Sequence, residues 1–168
     1  NSYDPPPVPE NIIIHVTANN TIIGDTEGVL SFDMFDFVLE NADTGAKNVL
    51  TSAINGKTVF AITLTHNDIG KTLHYKMYQL DNGIENVIYS NLVYDIYVSV
   101  ALGDNNELVA TVMSNGVAYN NFIGEFETVY DKEPEVIIPD PPVITPVEEE
   151  EFFIWPIILD AVIVGVIA

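Results

Sequence analysis

The stretch Thr72-Leu73-His74-Tyr75-Lys76-Met77-Tyr78-Gln79 sets the fold class: along an extended chain Leu73, Tyr75 and Met77 fall on one face and Lys76 and Tyr78 on the other. This period of two predicts a half-buried strand, closed by the turn residues Asp81-Asn82-Gly83. Upstream, residues 58–64 (TVFAITL) form a second β-branched run after the turn signal Asn55-Gly56, residues 49–54 read as a short strand, and residues 41–47 read as a loop. Residues 29–40 read as one strand with Phe35, Phe37 and Leu39 on the buried face and Asp36 and Val38 opposite. Residues 11–17 (NIIIHVT) are the first strand, followed by turn residues at Asn19-Asn20 and Gly24-Asp25. Downstream, residues 87–100 form a long β-rich run interrupted at Asn91. Asp104-Asn105-Asn106 and Asn115-Gly116 then make hairpins into residues 108–113 and 117–119, and residues 124–130 close the set. Strands at spacings of about 8 to 12 residues, with no segment of helical period, predict an all-β protein built as an antiparallel β-sandwich over residues 11–132.

The flanks differ in kind. Residues 1–10 hold Pro5, Pro6, Pro7 and Pro9 and read as an extended, Pro-rich leader. Residues 133–151 are a Pro/Glu-rich linker in which the run 139–146 is a stiff spacer and Glu148, Glu149, Glu150 and Glu151 follow. Residues 152–168 (FFIWPIILDAVIVGVIA) carry one charge, Asp160, and need an apolar environment, because burial is worth about 25 cal/mol per Å² of apolar surface. A membrane helix asks for about 20 apolar residues, whereas this segment is shorter, contains Pro156 and Asp160, and ends without Lys or Arg. Its β-branched content equally suits a strand buried on both faces. Three destinations stand: a neighbouring subunit, a membrane or cell-wall anchor, or the chain's own core. For the first, the interface anchors are Phe152, Phe153, Ile154, Trp155, Ile157, Ile158, Leu159, Val162, Ile163, Val164 and Ile167.

At 168 residues the chain holds one well-buried domain plus extensions. It has no cysteine, so neither disulfides nor thiolate chemistry enters. Five basic residues, all Lys, against 25 acidic ones give a net charge of −20, which excludes a nucleic-acid partner needing clustered cations. The acidic residues read as a solvated surface. The first residue is Asn1 rather than Met, as expected after removal of a signal peptide, and this points to the cell exterior. No enzyme constellation is expected: His15, His66 and His74 are scattered, and no metal-protease, nucleophile-elbow or phosphate-loop motif occurs. Asp25, Glu27 and Asp33 follow no calcium-loop pattern, so neither a metal nor a cofactor is expected. The Phe and Tyr residues at alternating positions read as core, not as a sugar-stacking platform.

The strand order resembles the pilin isopeptide-linkage domain of Gram-positive surface pili, an immunoglobulin-like sandwich. The matching segments are Phe35-Asp36-Phe37-Val38-Leu39, the strand from Gly70 to Gln79, the hairpin of residues 93–100 and 104–112, and Phe126-Glu127-Thr128-Val129-Tyr130. In that family a Lys on the first strand and an Asn on the last form an internal amide, promoted by a buried carboxyl on a middle strand. The resemblance places Gln79 at the acid position and Thr128 at the Asn position, and the first Lys of this chain is Lys47. It therefore implies a domain without the family's internal crosslink. An ester between Gln79, the only Gln, and a Thr is the minor alternative to a plain strand-end role for Gln79. Pro142-Val143-Ile144-Thr145-Pro146 only faintly resembles a sortase signal, and Lys132 a pilin-motif Lys.

Together these readings predict a pilin-like structural subunit, secreted to the cell surface, whose partners are copies of itself in a filament. The alternative is a surface adhesin held to the membrane or cell wall by the same C-terminal segment.

Overall fold

The computed structural model describes residues 4–133 and 139–142. Residues up to Glu133 make one compact unit, and a second unit begins at Pro134. The first unit is a two-sheet β-sandwich of ten strands: β1 (Ile12–Ile23), β2 (Asp36–Asn41), β3 (Lys47–Thr51), β4 (Lys57–Leu64), β5 (Thr72–Gln79), β6 (Val87–Ile88), β7 (Val93–Leu102), β8 (Leu108–Ser114), β9 (Val117–Tyr119) and β10 (Phe122–Tyr130). One sheet has the order β4-β1-β10-β6 and the other β3-β2-β5-β7-β8-β9. All neighbours are antiparallel except β1 and β10, which run parallel with Val16 opposite Phe122 and Ile23 opposite Val129. The antiparallel β-sandwich expected from the sequence is what the structure has, with this one parallel pair added.

The alternation read in residues 72–79 holds, with Met77 and Gln79 buried on the inner face. The same parity carries β4, where Thr58, Phe60, Ile62 and Leu64 are buried and the residues between them are exposed. It also carries β10, where Phe122, Gly124, Phe126 and Thr128 face inward. Phe35, Phe37, Phe60, Phe126, Met77, Ile96 and Val98 fill the space between the sheets. Phe37 and Phe126 meet across it at a centroid distance of 5.0 Å. Burying an aliphatic or aromatic side chain of this size contributes roughly 1.5–3 kcal/mol.

Three local expectations are overturned. Asn19-Asn20 makes no turn: β1 runs through it, because the β4 ladder reaches Asn19, the β10 ladder reaches Ile23 and the Asn20 N–H bonds the Gly56 carbonyl at 2.8 Å, which override a local turn preference. Residues 29–35 are not strand. The Asp25 carboxylate accepts the Val29 and Leu30 N–H groups, both at 2.8 Å, and a 3-10 turn follows at Phe32–Met34. Val38, assigned to the polar face of its strand, is 1% exposed. It lies opposite Val49 on β3 and Tyr78 on β5, so its neighbours on the outer face cover it.

Candidate functional site

Two features of β10 stand out, one on its buried face and one on its free edge. On the buried face, inward parity brings Asn20 of β1, Thr128 of β10 and Gln79 of β5 together, at 3%, 0% and 6% exposure. The Gln79 Nε2 amide donates to Thr128 Oγ1 at 2.7 Å, and the Thr128 hydroxyl donates to Asn20 Oδ1 at 2.8 Å. Gln79 Oε1 accepts the Ser90 N–H at 2.7 Å. A continuous hydrogen-bonded chain thus ties both strands of the parallel pair to the opposite sheet and to the crossover after β6. Inside a low-dielectric core such a chain is strong when satisfied and costly when broken. Asn20 Nδ2 and Thr58 Oγ1 are buried without a partner among the described residues.

Gln79 is the last residue of β5, as the sequence reading has it, and it also links Thr128 to the Ser90 N–H. Gln79 and Thr128 meet, and the first-strand member is Asn20, which sequence reasoning passed over. A signal was available, since Val16, Ala18, Asn20 and Ile22 share one parity, but treating the Asn pair as a turn hid it. The three groups are two carboxamides and a hydroxyl, none of which titrates near neutral pH. Lys47 is exposed on β3, and Lys132 is exposed just after β10.

On the free edge, β6 pairs with β10 only at Val129 and Tyr130. Over residues 122–128 that edge has no strand beside it among the described residues. The backbone groups turned toward it belong to the odd-numbered residues. The Glu125 carbonyl accepts the Tyr94 hydroxyl at 2.6 Å, and the Asp131 N–H reaches the Asn86 carbonyl at 2.8 Å. Openings lie on both sides of Tyr94. One is lined by Val93, Tyr97, Ser114, Tyr119, Phe122 and Ile123, among others. The other is lined by Ile88, Leu92, Glu125, Glu127 and Val129 with their neighbours. Burial is the larger influence on Tyr94 and pushes its phenol above the ordinary value, so it remains a donor at neutral pH. Ile88, Leu92, Val93 and Ile123 are each about half exposed around this edge (46–54%).

On the outer face of the second sheet, Asp95 accepts from His74 at 2.7 Å and from Lys76 at 3.0 Å. These hydrogen bonds, from His74 first and Lys76 second, hold its carboxyl below the usual range. Among the described residues no cluster of three or more metal-binding side chains occurs, and no helix is long and apolar enough to cross a membrane. The anchors assigned in residues 152–168 lie outside the described residues.

No family profile matches this chain, and no curated protein does. Among solved structures, the T-13 major pilin of Streptococcus pyogenes matches over 73% of this chain and 54% of its own, at 15% identity and a TM-score of 0.46. Another major pilin structure from Streptococcus pyogenes matches over 71% of this chain and 50% of its own, at 15% identity and a TM-score of 0.41. The chain spans about half the length of these pilins.

Proposed function

We propose that this chain is a structural, pilin-like subunit of an extracellular cell-surface filament, joined copy to copy through residues 152–168 and lacking an internal amide crosslink. The observation that carries this reading is the parallel pairing of β1 with β10, the first and last strands of the described fold. The chain enters at the start of β1 and leaves at the end of β10, so the entry and exit points lie at opposite ends of one ladder. Tension along a filament loads that ladder in shear, on eight residue pairs together, instead of peeling it one bond at a time. A subunit that must transmit force benefits from this geometry; an enzyme or a small-ligand carrier gains nothing from it.

The buried chain Asn20–Thr128–Gln79 supports the non-covalent part of the reading. An internal amide requires an amine, a carboxamide and a buried acid, and here two amides and a hydroxyl stand in one hydrogen-bonded line across the same strands. Sedimentation velocity without detergent tests the proposal on the intact chain and on a chain ending at Pro146. The expected result is large assemblies from the intact chain and monomers from the shortened one. Monomers from both, with the intact chain floating with liposomes, would replace the filament subunit by a membrane-anchored adhesin domain.

A further inference from the structure

We propose that the free edge of β10 over residues 122–128 is the acceptor for residues 152–168 of a second copy, which add to the sheet as a strand. This rests on the filament reading above and names its docking site. An unpaired strand edge offers a row of backbone donors and acceptors, and an extended segment satisfies them while alternate side chains enter pockets beside it. On β10 the row comes from Ile123, Glu125 and Glu127, of which, among the described residues, the Glu125 carbonyl alone is taken, by Tyr94. The pockets are the openings on either side of Tyr94, and Leu92, Val93 and Ile123 form their apolar rim.

The chemistry of the occupant follows from the rest of the chain. Two copies that each carry −20 repel one another face to face, so a close contact needs a nearly uncharged element, and residues 152–168 carry a single charge. Parity then orients the segment. The odd-numbered set Ile157, Leu159, Ala161, Ile163, Gly165 and Ile167 is wholly apolar, whereas Asp160 belongs to the even-numbered set. The odd set enters the space between the sheets, and the even set, with Asp160, lies on the outer face of the extended sheet. Seven residues of strand span about 23 Å, which residues 157–163 supply. A second copy is the source on the filament reading, which joins copies through this segment.

The native chain has no cysteine, so introduced thiols report contacts cleanly. Intact chain carrying Val162→Cys is mixed under mild oxidation with a chain ending at Pro146 that carries Glu125→Cys on β10, or Thr63→Cys on the outer strand β4. Several-fold more intermolecular disulfide to Glu125→Cys than to Thr63→Cys is expected. Equal yields, or preference for Thr63→Cys, would overturn β10 as acceptor while leaving the filament standing. Failure of the intact chain to assemble at all would overturn the filament reading itself. In intact chain, Glu127→Pro removes an edge donor and places a ring in the path of the incoming strand. The expected result is loss of assembly with the melting transition of the body retained. Leu92→Lys, which leaves the β10 backbone untouched, is expected to weaken assembly in the same direction. Undiminished assembly of both variants would contradict the assignment.

Discussion

The hydroxyl of Thr128 accepts from Gln79 and donates to Asn20, so its removal strands two buried partners at once. Thr128→Val is expected to cost about 1–3 kcal/mol in chemical denaturation, the penalty of unsatisfied buried groups. Replacing all three members with apolar residues of similar size is expected to cost less than that single change, since only the part-buried Ser90 N–H then loses its partner. The intact mass is expected to equal the sum of the residues. A deficit of one ammonia would point to an ester formed by the Thr128 hydroxyl on the Gln79 carboxamide and contradict the non-covalent reading. Asp95 provides a second residue-scale test. Its carboxyl has a depressed folded value, so the stability it contributes is present above about pH 4, the unfolded carboxylate value, and is lost as the pH falls through the folded value. Asp95→Asn is therefore expected to be slightly less stable than the parent at neutral pH, with the difference shrinking as the pH falls below about 4. The effect is small because this side chain is 44% exposed and well screened.

Among the elements, the β1–β10 ladder and its packing carry the mechanical argument. Pulled from its two ends in a single-molecule experiment, the body is expected to resist in one high-force event. Pulled across β1 and β10 at the same end of the ladder, it is expected to open at clearly lower force. Equal forces in both geometries would remove the argument from shear. Gly124 shows how tightly β10 is held: a Cβ there would lie 2.7 Å from Met77 Cε and 2.9 Å from the Tyr94 ring. Gly124→Val is expected to destabilise the body by about 1–3 kcal/mol in thermal or denaturant unfolding through overpacking. Strands whose side chains alternate cleanly, such as β4 and β5, were legible in the sequence because one face is buried and the other wet. β1 was cut short because Asn19-Asn20 satisfies a turn rule locally, while the partners that keep it extended lie about a hundred residues away. The same nonlocality concealed the parallel pairing and Asn20. No local pattern states which strand lies beside which, so the open edge of β10 was invisible until the crossover of residues 89–92 was seen to leave it.

For the whole molecule, a charge of −20 keeps copies apart, and on the proposed reading the segment 152–168, with its single charge, joins them. Salt screens the repulsion and leaves apolar burial intact, so assembly is expected to strengthen from low to moderate ionic strength. Weakening with salt, measured by sedimentation, would point to a contact built on charge. The measurement that bears most directly on the account is electron microscopy of the intact protein without detergent, beside the chain ending at Pro146. The account predicts filaments from the intact chain and dispersed particles from the shortened one. Dispersed particles from both, or filaments from both, would contradict assembly through residues 152–168.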